Sequence, residues 1–384
     1  MIELEGDERL LWMQSDALER WLVEKSDLLY DDPKLEAYLT DIAKELLGQI
    51  LGTTEPNIRV HVLRSPELNA YALPNGALFL HTGILARMDN EAQLAVLIGH
   101  ELAHFTHRHQ HAQMHAERRR MLFGTIFGSL LGAALGGGEY AQLGAQLGGQ
   151  SGQIFAMASV TGYSRNRERE ADEIGLKAAA SLGYDPREGI ALFEHLRDEI
   201  EAYDLHEKYF FSTHPRIVER IESFNELMTS GELKTAIEPR VGADAFSMQI
   251  VDLLLDNAEL DLAAGREESA HVAIDRHIEL EPDDARGYLL KGEYLRHVGR
   301  AGRDYGEAIA SYERAIQQDV GYADAYLALG LIGRVAGDAD LSRGAFERYA
   351  ELRPNAIDRP IVESYLGRQP VDQSLGELGS ELSE

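Results

Sequence analysis

Apolar positions recur at helical spacing through most of this chain, with one short interruption before residue 90. Over residues 7–25, Leu10, Leu11, Ala17, Leu18 and Trp21 fall near a 3.6-residue period, the pattern of an amphipathic helix. Asp32-Pro33 gives a start signal for a second helix. Its Leu35, Leu39, Ile42, Leu46 and Leu47 share one face, and it stops near Gly52. Residues 58–63 alternate apolar and polar as a half-buried strand does. Two further apolar runs, 68–73 and 77–82, flank Pro74-Asn75-Gly76, a hairpin signal. The pattern therefore predicts a small antiparallel sheet. A long helix follows from Asp89 or Asn90, with Leu94, Leu97, Ile98, Leu102 and Phe105 as its core stripe. Helical patterns return from Tyr163 through Leu182, over 186–205 and 216–228, and throughout 246–360.

One region departs from this pattern, and another repeats within it. Across residues 121–164 the only charge is Glu139, glycines recur at 124, 128, 132 and 136, and Arg118-Arg119-Arg120 precede them. The uninterrupted apolar part, 121–138, is 18 residues long and glycine-rich, marginal for crossing a bilayer. We expect a flexible segment over 121–160, either a flap on the protein or a peripheral membrane contact through 118–138. In 246–360, Ile278, Tyr288 and Gly292 recur 38 positions later as Ile316, Tyr326 and Gly330, while Gly265 and Gly299 lie 34 apart. A unit near 34 resembles the tetratricopeptide repeat (TPR), with Ala301–Asp304 filling the longer interval. About three copies are present, the minimum for a shared core. Residues 361–384 are acidic with Gly, Ser and Gln, and read as a disordered tail. The expected domains are thus 1–240, 246–360 and that tail.

Composition narrows the function classes. A net charge of −28 excludes nucleic acid as the main partner, because phosphate binding needs clustered positive charge. With no cysteine, disulfides and thiolate metal sites are excluded. The first eight residues are acidic and lack a signal-peptide apolar core.

The candidate chemistry centres on His100-Glu101-Leu102-Ala103-His104. Inside a helix, positions four apart lie about 40° from each other, so both imidazoles can reach one zinc ion. Glu101 is turned aside, where it suits a base acting on water. The two histidines lie on a flank beside the apolar stripe, so they can face a cleft rather than the core. His107, His109, His111 and His115 read as a solvated rim. On the next helix, Glu168 and Asp172 share a face and Glu170 points elsewhere. A solvated charged helix start accounts for them, and so does a third zinc ligand, since catalytic zinc takes three protein ligands and keeps one position open. His214 sits on a turn bounded by Pro215.

Four blocks carry a resemblance. They are Asn69-Ala70-Tyr71-Ala72-Leu73-Pro74-Asn75-Gly76, the His-Glu-x-x-His block, Ser164-Arg165 with Glu168-Arg169-Glu170-Ala171-Asp172, and Ser212-Thr213-His214-Pro215 with Arg220. Together, over about 60–225, they resemble the HtpX-type and CAAX-protease family of zinc metallopeptidases, and within it the BepA-like branch that carries TPR repeats. The resemblance implies one Zn²⁺ per chain held by His100, His104 and Glu168, with Glu101 as catalytic base. Asp172 matches an aspartate that either donates a proton or supports a ligand, and support is preferred. His214 matches a histidine that either steadies the transition state or occupies the open site in a latent form. Asn69, Ala70 and Tyr71 would hold substrate by strand pairing.

The expected fold is α+β: a mainly helical zincin-type domain with a small antiparallel sheet, then an all-α TPR solenoid. The expected function is a zinc metalloendopeptidase for protein substrates, in envelope quality control or outer-membrane protein assembly, with a protein partner on the TPR surface. The alternative is a TPR-based chaperone or assembly factor with a latent or structural zinc site. By resemblance the compartment is the bacterial periplasm or membrane periphery, and the missing signal peptide leaves the cytoplasm open.

Overall fold

In the computed structural model, which describes residues 6–25, 27–53, 55–112, 163–203, 217–233, 236–299 and 305–368, the first two helices form where the apolar period places them. They are α1 (Gly6–Lys25) and α2 (Pro33–Leu51). The Asp32 carboxylate accepts from the Lys34 and Leu35 amides at 3.0 Å, and Pro33 opens the helix where a missing N–H costs nothing. Gly52 closes α2 in the left-handed region at φ 69°.

The sheet contains β1 (Arg59–Leu63), β2 (Ala70–Ala72) and β3 (Ala77–His81) in the order β1-β3-β2. β2 and β3 form the expected hairpin, turning through Gly76 at φ 86°. β1 runs parallel to β3, so the sheet is mixed, which corrects the antiparallel expectation. Alternation fixes which face a side chain takes but carries no strand direction. The hairpin occupies one edge of β3, and the chain leaving α2 reaches the other edge travelling the same way as β3. Leu11, Leu18 and Leu22 of α1 pack on Leu63, Tyr71 and Phe79 on one face.

After α3 (Thr82–Arg87) comes α4 (Glu91–Thr106), capped by Asn90, whose Oδ1 accepts from the Gln93 amide at 3.0 Å. α4 is buried continuously from Ala92 to His104. It packs against α2, α5 (Arg165–Ser181) and α6 (Arg187–Ala202), and α7 (Ile217–Thr229) closes over α5 and α6. The histidine flank is therefore covered by α5 and does not face an open cleft, a second correction.

Contacts divide the chain into two compact units, Met1–Leu253 and Leu254–Glu384, the division falling within α8 (Ala243–Ala263). In the second unit α9 (Glu267–Leu280), α10 (Ala285–Gly299), α11 (Gly306–Gln318), α12 (Ala323–Ala336), α13 (Ala339–Leu352) and α14 (Arg359–Tyr365) each pack on the next. Positions paired by the 38-residue interval make matching contacts. A Cβ on Gly292 would meet the Tyr312 ring at 2.4 Å, and one on Gly330 the Phe346 ring at 2.6 Å. The Tyr288 hydroxyl donates to the Pro282 carbonyl, and the Tyr326 hydroxyl to the Val320 carbonyl. Among the described residues no helix is long and apolar enough to cross a membrane. The expected flap and membrane-contact segment, the Ala301–Asp304 insertion and residues 369–384 of the expected tail lie outside the described residues.

Candidate metal centre

Two glycines bring the centre together. A Cβ on Gly175 would lie 2.5 Å from the His100 backbone nitrogen, and one on Gly99 would lie 3.0 Å from Gly175 Cα. The backbones of α4 and α5 thus touch at this crossing. Glu168, Asp172 and Gly175 follow each other by four and three positions, so they share the α5 face laid against His100 and His104.

The close approach leaves three donors converging. His100 Nε2 and His104 Nε2 are 2.9 Å apart. Glu168 Oε2 is 3.6 Å from the first, and Oε1 is 3.4 Å from the second. His100 and His104 are each 1% exposed and Glu168 4%. Among the described residues this is the one group of His and carboxylate side chains whose donor atoms converge closely enough for a metal ion. Two imidazole nitrogens and a carboxylate oxygen suit a borderline cation such as zinc and leave a coordination position for another group. A buried carboxylate also needs a compensating charge.

Part of that compensation is Arg220. Its Nε lies 3.1 and 3.0 Å from the two Asp172 oxygens, and its Nη2 lies 2.5 Å from Oδ1. The guanidinium also stacks on Phe193 at 4.1 Å. Burial works against its charge, yet Asp172 and Glu168 outweigh burial and raise it further above its ordinary range. Asp172 Oδ1 is 2.8 Å from His100 Nδ1, so one oxygen accepts from both the imidazole and the guanidinium. That leaves His100 Nε2 for the centre. Glu101 is buried beside its histidine neighbours.

His109 departs from the solvated-rim expectation. It is 3% exposed, with Nδ1 at 2.8 Å from His104 Nδ1. Arg108 adopts φ 54°, a left-handed turn that a non-glycine residue rarely takes, and folds His109 back under the end of α4. Tyr163 stacks on the His104 ring at 3.9 Å. A cavity of about 390 Å³ between α5 and α7 reaches Glu168, Asp172 and Arg220.

Asn69 precedes β2, and Ala70 and Tyr71 lie in it, at the edge of the sheet. The Asn69 carbonyl accepts from the His81 amide, and the Leu73 amide donates to the Ala77 carbonyl. By alternation the backbone groups of Ala70 and Ala72 face outward. The Ala72 carbonyl accepts from the Gln110 side chain. The Asn69 and Tyr71 side chains are buried. His214 lies outside the described residues.

Sequence reading missed the roles of Gly99, Gly175, His109, Tyr163 and Arg220. Glycine inside an otherwise helical pattern was the available signal for the first two.

The profile of peptidase family M48 matches residues 33–228, a span holding every residue of the cluster. Mitochondrial metalloendopeptidase OMA1 of Bos taurus is 29% identical over 229 residues, covering 58% of this chain and 43% of the relative. A putative beta-barrel assembly-enhancing protease of Vibrio cholerae is 30% identical over 220 residues, 57% of this chain and 44% of the relative. The beta-barrel assembly-enhancing protease of Escherichia coli (strain K12) is 28% identical over 187 residues, 49% and 37% respectively. The matches thus span less than half the length of these three relatives.

Proposed function

The chain belongs to peptidase family M48, and from that membership we propose that it is a zinc-dependent endopeptidase acting on protein substrates. The observation that carries this reading is the convergence of His100, His104 and Glu168 next to Glu101. We place its work in the bacterial envelope, on the periplasmic side, in quality control or outer-membrane protein assembly. Similarity to beta-barrel assembly-enhancing proteases supports that placement. The matching contacts in the second unit support a TPR module that receives a protein partner.

His100, His104 and Glu168 would hold the ion. Bound there, zinc supplies Lewis acidity, polarising the scissile carbonyl and lowering the pKa of water. Glu101 takes the proton of the attacking water and delivers it to the departing amine. Asp172, held by Arg220, fixes the orientation of His100 and is a support, not a proton donor. The outward backbone of Ala70, between Asn69 and Tyr71, pairs with an extended substrate, which favours unfolded segments. His214, by its motif, either steadies the oxyanion or blocks the site at rest. A rise in turnover in His214→Ala would assign the block, and a collapse with metal retained would assign the oxyanion role.

The direct test is cleavage of an unfolded protein such as casein. Glu101→Gln should keep the metal and lower the rate by about 10²–10⁴-fold or more. Cleavage at the wild-type rate in the metal-loaded variant would reject the assigned base. Burial of the ligands, with Tyr163 stacked on His104, favours a second reading, a chaperone or assembly factor with a latent centre. That reading requires a zinc-loaded chain that suppresses client aggregation and cleaves none of its clients.

A further inference from the structure

A metal-binding imidazole is oriented through its second nitrogen. For His100 that grip is Asp172. His104 has a different partner. Its Nδ1 lies 2.8 Å from Nδ1 of His109, and His109 Nε2 lies 3.2 Å from Glu170 Oε2. The rings of His104 and His109 meet edge to face, 4.9 Å between centroids. Two imidazole nitrogens at hydrogen-bond distance share one proton, so one donates and the other accepts. His104 turns Nε2 toward the cluster, so its Nδ1–H is the donor. His109 Nδ1 is then the acceptor, and its Nε2–H donates to Glu170.

We propose that His109, oriented by Glu170, is a positioning residue for the ligand His104. The result is a chain Glu170–His109–His104 beside the chain Arg220–Asp172–His100. This inference rests on the zinc reading above. Charge explains why the second grip is an imidazole. Glu101, Glu168 and Asp172 are already buried around the centre with Arg220. Another buried carboxylate would add desolvation and repulsion. A neutral imidazole accepts the hydrogen bond without that cost. It passes the demand to Glu170, whose side chain is 50% exposed and stays hydrated. Glu170 points away from the metal ligands, as its place on α5 requires, and toward the far side of His109.

The test is zinc affinity of the full chain, measured by competition with a chromophoric chelator, together with the visible spectrum of the Co²⁺-loaded protein. His109→Leu should weaken zinc binding about 10–100-fold and alter the cobalt spectrum. His109→Asn, which offers an amide oxygen near the position of Nδ1, should recover most of the affinity, a rescue that a space-filling role does not predict. Glu170→Ala, on the exposed side, should weaken binding by a smaller factor. Affinity in His109→Leu within about threefold of wild type, or His109→Asn no better than His109→Leu, overturns the inference. If His109→Leu does not fold, unchanged affinity in Glu170→Ala overturns it. A wild-type chain that binds no zinc is a separate result, which overturns the zinc reading itself.

Discussion

One added methyl at position 175 decides whether the centre can assemble. The atom a Cβ there would meet is the His100 backbone nitrogen at 2.5 Å, which cannot rotate aside as a side chain can. Gly175→Ala must push α5 away from α4, at a cost of about 1–3 kcal/mol for overpacking. The same movement carries Glu168 and Asp172 away from the histidines. We expect zinc affinity and thermal stability to fall together in this variant, read by zinc titration and by the unfolding midpoint. Zinc affinity equal to wild type would show that the helix crossing does not set the ligand geometry.

At the scale of elements, α1 is fastened to the sheet and to α2 through His61. Glu19 of α1 accepts from Arg59 at 2.6 and 2.7 Å and from Asn75 at 2.6 Å, and lies 3.2 Å from His61 Nε2. His61 Nδ1 is 3.2 Å from Glu36 of α2. Burial pushes His61 down, but Glu19 and Glu36 outweigh it and raise it to about 9. Burial likewise pushes Glu19 up, while Arg59 and His61 hold it at about 2. A raised histidine contributes stability that is complete below its unfolded value near 6.5 and is lost as pH rises through 9. A lowered carboxylate contributes above its unfolded value and is lost as pH falls through 2. The fastening is therefore complete between about pH 4.5 and 6.5. Denaturant titrations should show stability falling by on the order of 1–3 kcal/mol between pH 6 and 10, with a flatter decline in His61→Gln. The same alkaline decline in both proteins would remove His61 from this role. The helices, their caps and the hairpin were legible in the sequence because period, Asp32, Asn90 and Gly76 act locally. The parallel placement of β1 was not legible, because it is a long-range choice. The burial of His109 was hidden for another reason: the turn at Arg108 uses a backbone conformation that its side chain does not announce.

For the whole molecule, the metal cluster lies in the unit Met1–Leu253 and the repeating helices in Leu254–Glu384. Zinc should therefore stabilise one unit alone. Calorimetry should resolve two transitions, with zinc at about 100 times its Kd raising the first by about 2.7 kcal/mol and leaving the second in place. Equal shifts in both would contradict confinement of the site to the first unit. The order of the site blocks and the helical repeat were readable from the sequence. The motifs also brought His100, His104 and Glu168 together as a candidate ligand set, but the helix contact that lets them converge was not readable, because it depends on two glycines separated by more than seventy positions meeting in space. Reconstitution of the chelator-stripped chain decides whether a metal at His100, His104 and Glu168 drives cleavage. Zinc is added in steps while bound metal and cleavage of an unfolded substrate are followed together. Cleavage should be absent without metal, rise in proportion to occupancy, and reach its plateau at one zinc per chain. Cleavage that survives stripping, or a fully loaded chain that never cleaves, would contradict the zinc reading.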